Sequence, residues 1–204
     1  MAMGDRQAFL FILCGSLLIA AGIGCWWFGG DLPLHRLLRL TGRAERVITL
    51  SALGGVLVMG PLALAALGLL LWQRRTADAL WLLLTIGTGR LAVEGIKLVV
   101  TRPRPPVIDW LETVKSWSFP SSHSAGTMMT CLALALLFGR NGWAIALALL
   151  AALIIGWSRV ALAVHWPSDV FAGWGIGLLW LGVSLGVYTT LGARPDPLRP
   201  VDAG

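Results

Sequence analysis

The strongest constraint on this chain is its hydropathy pattern: six predominantly apolar stretches, 8–28, 47–72, 77–100, 123–139, 143–163 and 170–191, separated by short polar connections. About 20 apolar residues are needed to cross the hydrocarbon core of a bilayer as a helix, and a spanning segment without a closed barrel must be helical to satisfy its own backbone. Only 13% of the 204 residues are charged and 57% are hydrophobic, where a soluble domain carries about 25% charged residues. The expected architecture is therefore all-α and polytopic, with six transmembrane helices forming a single membrane-embedded domain over 1–204. Span four is short for a complete crossing, which predicts that its N-terminus lies below the membrane surface.

The connections add detail. Between the first two spans, Leu34, Leu37, Leu38 and Leu40 alternate with Arg36, Arg39, Arg43 and Arg46, a spacing that suits a short amphipathic helix in the interface with its cations toward headgroups. Residues 73–76 are too few for anything but an antiparallel hairpin of spans two and three. The segment from Thr101 to Pro120 contains four prolines and cannot be one regular helix. Gly173/Gly177 and Gly182/Gly186 have the spacing that lets membrane helices approach closely. Trp26, Trp27, Trp72, Trp81, Trp110, Trp117, Trp143, Trp166 and Trp174 fall near predicted helix ends, as an interfacial aromatic belt would. Cys14, Cys25 and Cys131 lie inside spans without metal-ligand spacing and are expected as buried free thiols. The apolar run of the first span exceeds the 7–15 residues of a signal-peptide core, so it is read as a retained membrane helix.

The formal charge of +6 could indicate nucleic-acid binding, but the cations are scattered between helices, so no nucleic-acid partner is expected. Counting Lys and Arg by loop sets Arg6, Arg74, Arg75, Arg140, Arg194 and Arg199 against Arg36, Arg39, Arg43, Arg46 and Lys115. That balance does not orient the protein.

Ionisable residues at membrane depth are costly and mark functional sites. On the third span Arg90, Glu94 and Lys97 share one helical face, which must look into the bundle; Arg90 and Glu94 can neutralise each other there. Three segments then stand out: Lys97 followed after six residues by Arg104-Pro105, then Pro120-Ser121-Ser122-His123, then Ser158-Arg159 with His165 and Asp169. Cations beside a helix N-terminus make a phosphate cradle, because first-turn N–H groups and the helix dipole both favour an anion. The planar forks of Arg104 and Arg159 match phosphate oxygens. Two histidines and a carboxylate make such a site reactive: one imidazole can attack phosphorus while the other protonates the departing oxygen. Asp169, four residues beyond His165, can accept its second ring N–H and fix the tautomer.

In these three segments the chain resembles the type 2 phosphatidic acid phosphatase family, whose signature is K-x6-RP, PSGH and SR-x5-H-x3-D. Order and spacing match across about a third of the chain; Ser122 replaces the usual Gly, at a position where the family uses a backbone N–H. The resemblance implies that His165 is the nucleophile forming a phosphohistidine, that Asp169 orients it, and that His123 is the general acid. Lys97, Arg104 and Arg159 would hold the phosphoryl oxygens with Ser121 and the N–H groups of Ser122 and His123. His35 has no such company and is read as a structural interface residue.

The expectation is a lipid phosphate phosphatase that uses no metal and no cofactor, multi-pass in the inner membrane with its catalytic loops on the periplasmic face. Undecaprenyl diphosphate ranks first as substrate and phosphatidylglycerol phosphate second, ahead of phosphatidic acid and lipid A phosphates. The same signature occurs in vanadium haloperoxidases, an oxidoreductase class that the hydropathy disfavours. A non-catalytic anion-binding membrane protein is disfavoured by the intact His123, His165 and Asp169.

Overall fold

A computed structural model describes residues 3–42, 44–139 and 141–193. Arg43, Arg140, Arg194, Arg199 and Gly204 lie outside the described residues. Among those described the chain is helical and without strands: α1 (Met3–Trp27), α2 (Asp31–Leu38), α3 (Glu45–Ala52), α4 (Val56–Trp72), α5 (Thr76–Val100), a 3-10 turn (Val107–Asp109), α6 (Ser122–Phe138), α7 (Gly142–Ala161) and α8 (Pro167–Thr190).

Among the described residues five units are long and apolar enough to cross a membrane: α1, α3 with α4, α5, α7 and α8. The shorter apolar α6 has 17 residues, about 25 Å at 1.5 Å per residue, less than the roughly 30 Å hydrocarbon core. It is the most enclosed of the helices, with Ala125, Met129, Leu132, Ala133 and Leu137 fully buried between α5, α7 and α8. A short central helix surrounded by longer ones puts its N-terminus below their ends.

The second apolar stretch differs from the single helix expected: it breaks at Leu53–Gly55. A Cβ on Gly54 would lie 2.2 Å from Ile155 Cγ2 and 2.9 Å from Thr127 Oγ1, so only glycine lets this turn press against α6 and α7. Gly55 faces His123 Nε2. The break thus brings a side-chain-free turn to the site.

Close backbone approach also builds the bundle. Gly173 and Gly177 meet the backbone carbonyls of Ser121 and Ala125 on α6, whereas Gly182, with Gly175 rather than Gly186, meets α1 at Ala8 and Gly15. At the end remote from the histidines, Arg75 donates to Asp78 (2.7 Å) and to the Leu137 carbonyl (3.2 Å), and Tyr188 donates to Asp78 (2.7 Å). This buried cluster ties the α4–α5 hairpin to the ends of α6 and α8.

The interfacial helix α2 is confined to 31–38, and its polar residues Asp31 and His35 are buried while Leu37 is exposed. Arg39 pairs with Asp109 instead of reaching outward. Trp27, Trp72 and Trp143 are exposed at helix ends, as a belt requires. Trp81 and Trp174 are buried in the core, the latter donating to the Ala152 carbonyl; their indoles fill interhelical space that no smaller side chain would fill. The cysteines are free, but Cys14 is exposed and Cys25 and Cys131 are half-buried rather than enclosed; for Cys14 and Cys25 the reason is that α1 turns an apolar face outward.

Candidate active site

The α5 C-terminus, the α6 N-terminus, the 101–121 segment and the α7–α8 turn meet at one end of the bundle. Lys97, Arg104, Ser122, His123, Arg159 and His165 line a single cleft of about 360 Å³, together with Arg90 and Glu94. The shared face on α5 does look inward. Arg90 and Glu94 do not pair as expected: Glu94 accepts the Ser122 hydroxyl at 2.7 Å, and the Arg90 guanidinium lies against Gly126. A second cleft of about 520 Å³ adjoins the first through Lys97 and Arg104 and continues toward Lys115 and Trp117.

His165 sits in the turn between α7 and α8, preceded by Ala163 in a left-handed conformation (φ +58°). Its Nδ1 lies 3.4 Å from Asp169 Oδ2 and its Nε2 lies 3.1 Å from Arg104 Nη1. An arginine can only donate, so Nε2 accepts from Arg104 at the cleft wall and the ring proton belongs on Nδ1, toward Asp169. Burial, then the charges of Arg104, Arg159 and Lys97, hold the imidazole well below the usual histidine range. It is therefore neutral and nucleophilic at pH 7.

Asp169 is fully buried in the first turn of α8, with Pro167 at the helix start as its fixed φ favours. Its Oδ2 accepts from Ser118 Oγ (2.5 Å) and Trp166 N (2.9 Å), and its Oδ1 from Arg102 (2.6 Å). A carboxylate with three donors besides the histidine is fixed in place.

The cations are held by neutral or acidic partners. Lys97 donates to the Trp117 carbonyl (2.8 Å). Arg104 donates to the Ser116 and Val164 carbonyls, and burial and Arg159 lower its pKa to about 10, which still leaves it charged. Arg159, 1% exposed, donates to Ser51 (2.5 Å) and Glu112 (2.6 Å). Ser121 lies beneath the cleft: its hydroxyl caps α6 by accepting from Ser124 N (3.4 Å) and Ser124 Oγ (2.9 Å). A serine N-cap followed by free first-turn N–H groups is what α6 offers an anion.

Residues missed by sequence reasoning complete the site. Arg102, Ser118, Ser51 and Glu112 bond to motif residues, and Asp31 bonds to Arg102. His35, taken as a plain interface residue, is 2% exposed, and its ring centroid lies 5.2 Å from that of Trp166, next to His165.

Comparison with known proteins agrees with this geometry. Phosphatidylglycerophosphatase B of Bacillus subtilis is 34% identical over 116 residues, 53% of this chain and 57% of that protein. An undecaprenyl-diphosphatase of Sulfolobus acidocaldarius is 38% identical over 61 residues, 30% of this chain and 29% of that protein. The chain thus spans between about a third and somewhat over half of the length of these curated relatives. Among solved structures, a transmembrane PAP2-type phosphatidylglycerolphosphate phosphatase from Bacillus subtilis superposes with a TM-score of 0.74 at 26% identity, covering 96% of this chain and 98% of that one. The family model for the PAP2 superfamily matches residues 78–193, more than half of the chain and all three motif segments, and the protein belongs to that superfamily.

Proposed function

We propose that the protein is a membrane lipid-phosphate phosphatase working through a phosphohistidine on His165. The observation that carries this reading is the orientation of His165: Nε2 toward a cleft ringed by Lys97, Arg104 and Arg159, and Nδ1 toward Asp169. In the first step the Nε2 lone pair attacks phosphorus and the P–O bond to the lipid breaks. His123, protonated once the negative charge of the bound substrate offsets Arg159, Arg90, Lys97 and Arg104 around it, delivers its proton to the departing oxygen. Charge on the equatorial oxygens is met by the three cations and by the α6 first-turn N–H groups, which act through position and electrostatics. In the second step neutral His123 takes a proton from water, the resulting hydroxide attacks the phosphorus, and the P–N bond breaks to give phosphate and free His165.

The substrate proposed first is undecaprenyl diphosphate, a chemistry named in the Sulfolobus relative. The adjoining cleft leading to Lys115 gives a second phosphate a cationic direction to follow. Phosphatidylglycerol phosphate is the second reading, supported by the names of the two Bacillus proteins. The cationic cradle stands where a metal-dependent enzyme would hold its ions, so turnover is proposed to need none. The catalytic end is proposed to face the periplasm.

The test is phosphate release by detergent-purified protein from a panel of lipid phosphates, with and without EDTA. Release by the wild type in EDTA, lost in His165→Ala, is expected. No release from any lipid phosphate, or release only with added Mg²⁺, would overturn the reading.

A further inference from the structure

Asp31 opens α2, 138 positions before Asp169, and is 6% exposed. Its carboxylate is engaged mainly by the base of the site: Oδ1 accepts from Ser168 N (2.9 Å) and from the Cys25 thiol (3.7 Å), and Oδ2 accepts from Ser168 Oγ (2.6 Å) and Arg102 Nη2 (2.5 Å). Arg102, also buried, uses its other nitrogen for Asp169 Oδ1 (2.6 Å) and Ser168 Oγ (2.6 Å). Its guanidinium is covered by the Trp26 ring at 4.1 Å. One guanidinium therefore bridges two carboxylates, with the Ser168 hydroxyl closing the ring by donating to Asp31 and accepting from Arg102.

We propose that Asp31 and Arg102 are positioning residues for the His165–Asp169 pair, and that α2 supplies part of the catalytic machinery through them. This rests on the function proposed above. Two physical arguments support it. Arg102 fixes Oδ1 of Asp169 and so works with Ser118 and the Trp166 N–H, which hold Oδ2, to keep Oδ2 aimed at His165; free rotation of the carboxylate would lose that aim. Asp31 also sets the charge of the group. With it, the buried trio carries one net negative charge facing an imidazole that becomes cationic as Nε2 bonds phosphorus. Without it, Arg102 and Asp169 cancel, in surroundings where charge is poorly screened. His35 adds a second link from the same helix by packing on Trp166, whose backbone N–H holds Asp169 Oδ2.

The test compares two oxyanions on intact, detergent-purified protein. Orthophosphate needs only the cations and the α6 N-terminus. Vanadate expands to five-coordination when Nε2 becomes an apical ligand, so it reports the aim and charge of His165. Asp31→Asn should weaken vanadate roughly tenfold while orthophosphate binding stays within about twofold, and kcat should fall roughly tenfold to a hundredfold with KM little changed. In an Asp169→Asn background the same change should weaken vanadate by less than about twofold, since residues acting as one unit are not additive. Ser168→Ala, which removes only the bridging hydroxyl, should show the same split more weakly and serves if Asp31→Asn does not fold. Equal losses for both oxyanions, or full additivity with Asp169→Asn, would overturn the proposal. Because the oxyanion-binding comparison is made without turnover, its outcome is independent of whether any lipid in the panel is hydrolysed.

Discussion

Acidification should destabilise the protein through His165, by an amount that follows from its surroundings. Its ring is enclosed, it faces Arg104, Arg159 and Lys97, and its acidic partner, Asp169, is already occupied by Arg102, Ser118 and Trp166. The folded state therefore keeps His165 neutral below pH 6.5, whereas the unfolded chain binds a proton near pH 6.5. Below that value the unfolded state carries the extra proton, so stability falls as pH falls. Between pH 7 and pH 5 a histidine that stays neutral in the fold forfeits at most about 2 kcal/mol, a sizeable part of a typical 5–15 kcal/mol. His35, whose pKa burial and Arg39 also lower, acts in the same direction. Unfolding by SDS in mixed micelles at the two pH values, on wild type and His165→Gln, isolates the term because glutamine cannot titrate. The wild type should lose more than the variant, by up to about 2 kcal/mol. Equal losses would mean that His165 titrates in the fold as it does in the unfolded chain and would refute the charge arrangement around it.

His123→Ala should leave a slow reaction that recovers on substrates with better leaving groups, since only protonation of the leaving oxygen is lost; equal losses across leaving groups would remove it from that role. Ser122→Gly deletes the bond to Glu94 but keeps the backbone N–H, so turnover should stay within a few-fold and stability should drop by roughly 0.5–1.5 kcal/mol. A large loss of kcat would instead make the hydroxyl part of the phosphate site. With Cys14, Cys25 and Cys131 removed, a cysteine at exposed Thr113 should react with an impermeant thiol reagent on intact cells, and one at exposed Arg74 should not. The reverse pattern would put the catalytic end in the cytoplasm.

The apolar periods made the helical plan legible, and fixed spacing made Lys97, Arg104, His123, Arg159, His165 and Asp169 legible as a group; the structure brings five of them to one cleft with Asp169 directly beneath. What spacing could not reveal are partners joined only by the fold. Asp31 and Arg102 are 71 positions apart and Arg159 and Ser51 are 108 apart, so no local period relates them. A signal for Asp31 did exist: with only 10 acidic residues in the chain, one placed between two apolar runs needs a cationic partner. The break at Gly54–Gly55 was similarly visible as a glycine pair inside an apolar stretch, but its reason, contact with Ile155 and Thr127, is tertiary.

The central claim is that His165 carries the phosphoryl group between two half-reactions. A rapid quench of single turnover with a lipid substrate labelled with ³²P in its transferred phosphate tests it directly. The account predicts transient label on the protein, stable to alkali and labile to acid, located on the peptide containing His165 and missing from His165→Ala. Release of labelled phosphate with no protein-bound label at any time, or label on another residue, would contradict it.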